Sequence, residues 1–277
     1  MSMASKAQIS QYHDRGYFIV DDAVDAALLQ ELAAAADRVA ARVRSGEVVD
    51  DPDGIHLGGE AVEPAFISGL VAPEFAEPAF AQYLASEPIA RYLQSFLGDE
   101  LRMGWVHLCC VQGQYVIGWH RDTGGQVKDG SYEEEMEILG RHRKHFMKWH
   151  MALVDDPCLW IVPGSQNRFR TDREHEALQG GSGEIPGATR IDLRKGQTIF
   201  WNGNSIHRGV MPEAMKRRST LMGGMIDHRS DYDPGEKGDH RWLLADNIRP
   251  GLPARAQRYY DNWRSLAEPR MAAAPPA

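Results

Sequence analysis

From residue 101 onward the chain is a succession of short runs, each too brief for a helix and rich in β-branched or aromatic residues. "LRMGWVHLCCVQG" (101–113) is followed by "FMKWHMALVDD" (146–156), "CLWIVPGSQ" (158–166) and "TRIDLRKG" (189–196). "QTIFWNGNSIHRGV" (197–210) and "RRSTLMGGMID" (217–227) complete the series. Gly, Pro, Asp and Asn separate the runs, as turns require. Strands that succeed one another without helices between them do not build a parallel α/β sheet. They pair antiparallel and bury their inner faces in a barrel or sandwich.

The first third has a different texture. "DAALLQELAAAADRVAARVRSG" (25–46) consists of strong helix formers, with Leu28, Leu29, Leu32, Ala35, Val39 and Val43 at helical spacing and Gly46 as a natural stop. "PEFAEPAFAQYLASEPIARYLQSFLGDE" (73–100) reads as two more helices broken at Pro88, and "GYFIV" (16–20) as a short strand. Helices first and strands afterwards give an α+β chain, mainly β. The expectation is one domain over 1–277, with a helical part to about residue 100, a β core over 101–227 and an extension over 228–277.

A formal net charge of −8 argues against a nucleic-acid partner, which calls for a basic stripe. Basic "RHRKH" (141–145) and "NRFRTDR" (167–173) and acidic "YEEEMEI" (132–138) read as a solvated surface of mixed charge; the alternative is a cationic rim attracting an anionic substrate. No run approaches the roughly 18 apolar residues of a membrane span, and the first residues lack the apolar segment of a secretory signal. Cys109, Cys110 and Cys158 form no CxxC pair and no even-numbered framework, so they are expected to be buried thiols in a reducing cytoplasm.

Within the β part, "GWHRDTGG" (118–125) sets His120 and Asp122 two residues apart. On extended backbone they share a face while Arg121 turns away. An imidazole beside a carboxylate lacks one ligand of the 2-His-1-carboxylate triad that leaves open positions on Fe(II). "WNGNSIHRG" (201–209) offers His207 on a later strand, and Arg217 and Arg218 follow it ten and eleven residues on. Arginine's planar fork suits the far carboxylate of a cosubstrate that chelates iron at its other end. A bare HxD pair is expected about once by chance in such a chain. Four elements that agree in type, order and spacing are much harder to obtain that way.

Plainer readings stand beside these. His120 and Asp122 could be a buried hydrogen-bonded pair, and Arg218 a surface residue at a hairpin start. Trp105, Trp119, Trp149 and Trp160 read as core residues rather than a substrate cage. His142, His145 and His150 lack the cysteine or carboxylate that would complete a zinc spacing. The segment 123–144 is long for a hairpin and reads either as a lid or as a surface excursion.

The chain resembles the phytanoyl-CoA dioxygenase-like branch of the Fe(II)/2-oxoglutarate-dependent oxygenases. The resemblance lies in "YHDRGYFIVDDAVDAALLQEL", in "WHRDT", in "DDPCLWIVPGSQN" with its Leu-x-x-x-Pro-Gly-Ser element, and in "IHRG" followed by "RRSTL". It spans roughly Tyr12 to Asp227. It implies a double-stranded β-helix, a jelly-roll or cupin-like core with flanking N-terminal helices. It implies iron ligands His120, Asp122 and His207, and it selects Arg218 over Arg217 for 2-oxoglutarate. By loose alignment it places His107 and His150 near the cosubstrate.

The departures are Gln166 in place of a histidine, no Pro-Gly before HxD, and Gly209 where a serine is frequent. The implied cofactors are Fe(II), 2-oxoglutarate as cosubstrate, and O2. The implied reaction is hydroxylation of an unactivated C–H in a small organic molecule, a specialised-metabolism intermediate being the first expectation. Related halogenases carry a small residue at the position of Asp122, so the carboxylate favours hydroxylation or a kindred oxidation. Desaturation, epoxidation or rearrangement are alternatives of the same chemistry. A non-catalytic jelly-roll that binds a ligand is the alternative of another class. Oligomeric state is left open, a homodimer included.

Overall fold

The computed structural model describes residues 3–50, 57–60, 63–122, 130–142, 145–181, 183–230 and 245–273. The helical part begins with α1 (Lys6–Arg15), started by a capping box between Ser5 and Gln8. Strand β1 (Tyr17–Val20) and helix α2 (Ala26–Arg44) follow, the helix capped by the Asp25 side chain on the Leu28 amide at 2.8 Å. A hairpin of β2 (Leu57–Glu60) and β3 (Glu63–Ser68) precedes α3 (Pro78–Ala85) and α4 (Glu87–Leu97). The break between those two helices falls at Ser86. Pro88 does not break a helix but lies in the first turn of α4, where its missing N–H leaves no bond unmade.

The β part comprises β4 (Leu101–Cys109), β5 (Val116–His120), β6 (Phe146–Ala152), β7 (Asp156–Ile161), β8 (Thr189–Leu193), β9 (Thr198–Trp201), β10 (His207–Val210) and β11 (Thr220–Asp227). Helices α5 (Tyr132–His142) and α6 (Asp172–Gly180) lie between strands, and α7 (Ala254–Ala273) closes the chain. Seven strands form one antiparallel sheet in the order β1-β9-β6-β11-β4-β3-β2, and four form the other, β5-β10-β7-β8. From β4 onward the chain passes back and forth between the sheets. That path is the winding of a double-stranded β-helix, and it puts β5 and β10 side by side although 86 residues separate His120 from its partner His207.

Both faces of the large sheet are covered, which explains why its strands read as almost continuously apolar. On β6, Met147, Trp149 and Met151 face the helical layer, where they meet Leu32, Val39, Phe80, Tyr83, Leu93 and Tyr260. Full burial of such a side chain contributes roughly 1.5–3 kcal/mol of transfer free energy. The alternate residues Lys148, His150 and Ala152 face the space between the sheets. There Ala152 joins Tyr17, Leu159, Ile161, Ile191, Leu193, Ile199 and Trp201. A second inner cluster holds Cys109, Val111, Tyr115, Cys158, Met211 and Met222. All three cysteines are unpaired and buried. Among the described residues no helix is long and apolar enough to cross a membrane.

Candidate active site

Pairing of β10 with β5 sets His207 directly opposite His120, and their rings lie 4.1 Å apart between centroids. The strand ends at His120, so Asp122 stands in the turn beyond it, its amide donating to the Gly203 carbonyl at 3.0 Å. The shared face expected of i and i+2 survives this turn. Asp122 Oδ1 lies 3.9 Å from His120 Nε2 and 3.6 Å from His207 Nε2. One ligand atom from each of the three residues falls within 4.8 Å of the others.

Each imidazole is fixed by its own backbone. His120 Nδ1 is 2.7 Å from the Gly118 carbonyl and His207 Nδ1 is 2.8 Å from the Ser205 carbonyl, in both cases two residues back. A carbonyl only accepts, so each Nδ1 carries the proton and each Nε2 offers its lone pair to the common point. Burial, with His120 adding to it, pushes His207 well below the usual histidine range, so the ring is neutral at pH 7. For Asp122 burial works upward, but Lys148, His207 and His120 together outweigh it and hold the carboxyl below its ordinary range. Two Nε2 lone pairs and a carboxylate fit a divalent iron, with no fourth protein ligand needed.

A row of residues crosses the large sheet beside this triad. Ser68, His107, Met222, His150 and Ile199 are successive cross-strand partners on β3, β4, β11, β6 and β9. His107 Nδ1 is hydrogen-bonded to Ser68 Oγ at 2.7 Å. His150 is 6% exposed, and neither ring nitrogen has a hydrogen-bond partner among the described residues. Burial first, then the charges of Lys148 and Arg218, keep it neutral. Its ring meets Trp201 edge-on at 5.2 Å, and Trp201 meets His207 at 4.4 Å. A buried imidazole with both nitrogens unused is poised to bind something not made of protein.

Arg217 and Arg218 take opposite sides, as adjacent residues of an extended segment must. Arg217 bridges to Gln112 and pairs with Asp37 at the surface, whereas Arg218 is 1% exposed. The Arg218 amide continues the ladder by donating to the Val111 carbonyl. Its Nε donates to Asp156 Oδ2 at 3.0 Å, and the Thr220 hydroxyl donates to the same oxygen. Its Nη1 lies 3.5 Å from Cys109 Sγ, and the guanidinium stacks over the Tyr115 ring at 4.7 Å. Burial opposes the charge, but Asp156 with Cys109 and Tyr115 holds the group firmly protonated. Gly209 stands against the same ring, because a Cβ there would lie 2.7 Å from Tyr115 Cε1. Tyr115 fills the space that a serine side chain would enter.

Several residues that hold the site were not legible in the sequence. Arg121, turned away from the ligands as expected, is buried and donates to the Ser165, Asn204 and Arg168 carbonyls. Burial lowers it to about 10. It also pairs with Glu135 of α5, as does Arg170. The solvated-surface reading is therefore corrected at two positions: Glu135 is fully buried and Arg170 is 8% exposed. Residues 130–142 are thus tied to the metal end through Arg121, while 123–129, the remainder of the expected lid, lie outside the described residues. So do 143–144 and most of 228–247, and the side chains of Trp105 and His142. Of the other tryptophans, Trp119 and Trp149 are core, and Trp160 and Trp119 flank Arg208.

The Pro-Gly-Ser element has a structural task. Ser165 Oγ accepts from the amide of Ile206, the residue before His207, at 2.8 Å. The signal for it was the motif itself, which carried kinship but no chemistry.

Comparison with known proteins places this geometry. A family model described as Phytanoyl-CoA dioxygenase (PhyH) matches residues 12–211. No curated protein matches the chain. Solved structures of similar fold include EctD from S. alaskensis, determined with 2-oxoglutarate and 5-hydroxyectoine (20% identity, 92% of this chain and 86% of that one, TM-score 0.66). They include AviO1 from Streptomyces viridochromogenes Tue57 (17% identity, 84% and 100%, TM-score 0.59). They also include SnoN, a non-heme alpha ketoglutarate dependent epimerase from nogalamycin biosynthesis (17% identity, 84% and 86%, TM-score 0.58). With the match covering well over half its length, the chain belongs to the phytanoyl-CoA dioxygenase (PhyH) family of iron- and 2-oxoglutarate-dependent oxygenases.

Proposed function

We propose that this enzyme hydroxylates an unactivated C–H of a small organic molecule, converting 2-oxoglutarate and O2 to succinate and CO2 as it does so. The observation that carries the reading is the convergence of His120 Nε2, His207 Nε2 and Asp122 Oδ1 beside a roll interior that also contains the buried Arg218. His120, Asp122 and His207 would hold the iron, and Arg218 the far carboxylate of 2-oxoglutarate. Bound iron supplies the activation of O2 that is coupled to oxidative decarboxylation of 2-oxoglutarate.

The chain's own residues bind, orient and exclude water. The backbone carbonyls of Gly118 and Ser205 keep both ligand histidines in the Nε2-donating tautomer. Arg218 is held protonated and in one orientation by Asp156, ready for a dicarboxylate. His150 and His107 present imidazole edges from the neighbouring strands, and Met222 lies between them. Asp122 occupies the position that a halide would need, which supports oxygen rather than halogen transfer. The setting of SnoN in nogalamycin biosynthesis supports a substrate from specialised metabolism. Its epimerase activity also gives weight to a second outcome, in which the reaction at the substrate does not end in a hydroxyl group. The net charge of −8 and the unpaired buried cysteines support a cytoplasmic protein that acts on a small molecule, alone or as a homodimer.

Anaerobic addition of Fe(II) and then 2-oxoglutarate is expected to give the weak visible charge-transfer band of the chelate, absent in His207→Ala. Admitting O2 should then yield succinate, and mass spectrometry of candidate small molecules should show a gain of one oxygen. Metal bound without any band, and no succinate, would leave a jelly-roll ligand-binding protein as the better reading.

A further inference from the structure

Asp122 has two oxygens, and only one faces the histidines. The other, Oδ2, accepts from Lys148 Nζ at 2.8 Å. Lys148 comes from β6 of the large sheet, across the roll from β5 and β10. Its side chain is 12% exposed, and its ammonium sits over the Trp201 ring at 4.4 Å. Gly203 packs against both groups, since a Cβ there would lie 2.2 Å from Oδ2 and 3.2 Å from Lys148 Cδ. The Gly203 carbonyl meanwhile accepts from the Asp122 amide. The same indole that carries Lys148 packs edge-on against His207.

We infer that Lys148 is a positioning residue for the metal site: it takes one oxygen of Asp122, leaving the other as a single, monodentate ligand. The inference rests on the iron reading above and extends it to a residue outside the ligand set. Carboxylates that ligate metals are themselves hydrogen-bonded, and loss of such a partner typically weakens metal binding about 10–100-fold. A cation in this role looks costly beside a dication. The cost disappears once 2-oxoglutarate is bound. The metal brings two positive charges, Asp122 one negative and the dicarboxylate two negative, while Arg218 and its buried partner Asp156 cancel each other, so the loaded centre carries one surplus negative charge. Lys148 cancels it inside a roll where an uncompensated charge is expensive.

Orientation and charge therefore oppose each other in the metal-only site and reinforce each other in the ternary one. Removing Lys148 should weaken metal binding mainly when 2-oxoglutarate is present. A purely structural lysine would not show this conditional effect.

The test is titration of the full chain with Co(II), read by its d–d absorption, with and without 2-oxoglutarate, for wild type, Lys148→Met, Lys148→Gln and Lys148→Arg. The expected result is about a 10–100-fold loss of Co(II) affinity for Lys148→Met with 2-oxoglutarate and a much smaller change without it. Lys148→Arg should recover most of the loss, and Lys148→Gln, a donor without charge, only part. Equal affinity of Lys148→Met and wild type in the ternary state would overturn the inference, as would equal losses in both states. Should Lys148→Met not fold, the Gln and Arg variants decide: no difference between them in the ternary state removes the charge role. Wild-type protein that binds no Co(II) or Fe(II) would instead overturn the metal reading itself.

Discussion

The two ends of the roll interior face opposite electrostatic problems. At the metal end the charge arrives from solvent, and the chain keeps a partly open, electron-rich site waiting: the His120 side chain is 39% exposed and that of Asp122 22%. At the other end the charge belongs to the chain. Arg218 is 1% exposed and its partner Asp156 2%, so both ions were desolvated when the protein folded. Taking a guanidinium and a carboxylate out of water costs several kcal/mol each, offset by their mutual attraction and by the Thr220 hydroxyl and Cys158 amide on Asp156. A ligand at the metal end can be removed from a folded protein. A partner at the arginine end supports the fold as well as the site.

The largest expected effect tests that contrast directly. Arg218→Met should destabilise the metal-free protein by about 3–5 kcal/mol, because it strands a buried carboxylate. His120→Ala should cost about 1 kcal/mol at most. Urea denaturation of the two variants measures the difference, and comparable losses would break the comparison. The double change Arg218→Met with Asp156→Leu should recover part of the stability, since an apolar pair leaves no charge unpaired.

The same pair sets an acid limb. Burial alone would raise Asp156, but Arg218, the Thr220 hydroxyl and the Cys158 amide hold it below its unfolded value of 3.8. A carboxyl lowered by folding contributes stability that is complete above that unfolded value and is lost as pH falls through the lower folded one. Asp156→Asn should therefore flatten the stability curve below pH 3.8, relative to wild type.

What the sequence revealed follows the same division. The triad was readable because metal chemistry restricts ligands to a few residue types at fixed spacing. His120, Asp122 and His207 converge, and Arg218 is buried. The strands of the roll were readable because turns punctuate them. Helix α1, the β2–β3 hairpin, α6 and α7 were not read, since their residues are polar or mixed and their apolar faces are defined only by what they cover. Lys148 and Glu135 were illegible for a related reason. Each looks like a surface charge in its local stretch and becomes structural through a partner 26 or 14 residues away. Asp156 lay inside a motif quoted for its Pro-Gly-Ser end, and nothing local marks it as the counter-ion of Arg218.

A smaller effect sharpens the comparison at the arginine end. Tyr115 lies under the guanidinium and against Gly209, which makes it a spacer between β10 and the cation. Gly209→Ser should cost about 1–3 kcal/mol, because its Cβ must displace a buried ring. With Tyr115→Leu in the background the cost should shrink, and a double-mutant cycle would report the coupling. Additive losses would mean that β10 shifts to admit the serine without disturbing Tyr115.

The smallest expected effect lies one residue away. Arg217 and Arg218 have the same side chain and nearly the same place in the chain, yet only one faces inward. Arg217 has 42% of its side chain exposed, and its 2.6 Å pair with Asp37 lies at the surface. Such pairs contribute about 0–1 kcal/mol, less in salt. Arg217→Ala should therefore leave thermal stability within about 0.5 kcal/mol of wild type and leave 2-oxoglutarate binding unchanged. Arg218→Lys keeps the charge at the inner position but loses the planar fork, and should weaken 2-oxoglutarate binding about tenfold. Isothermal titration of both variants compares them on one scale. Equal losses would show that charge near β11 is enough. A loss confined to Arg218→Lys would show that the extended segment before β11, which turns one arginine inward and the other outward, gives the site its cosubstrate.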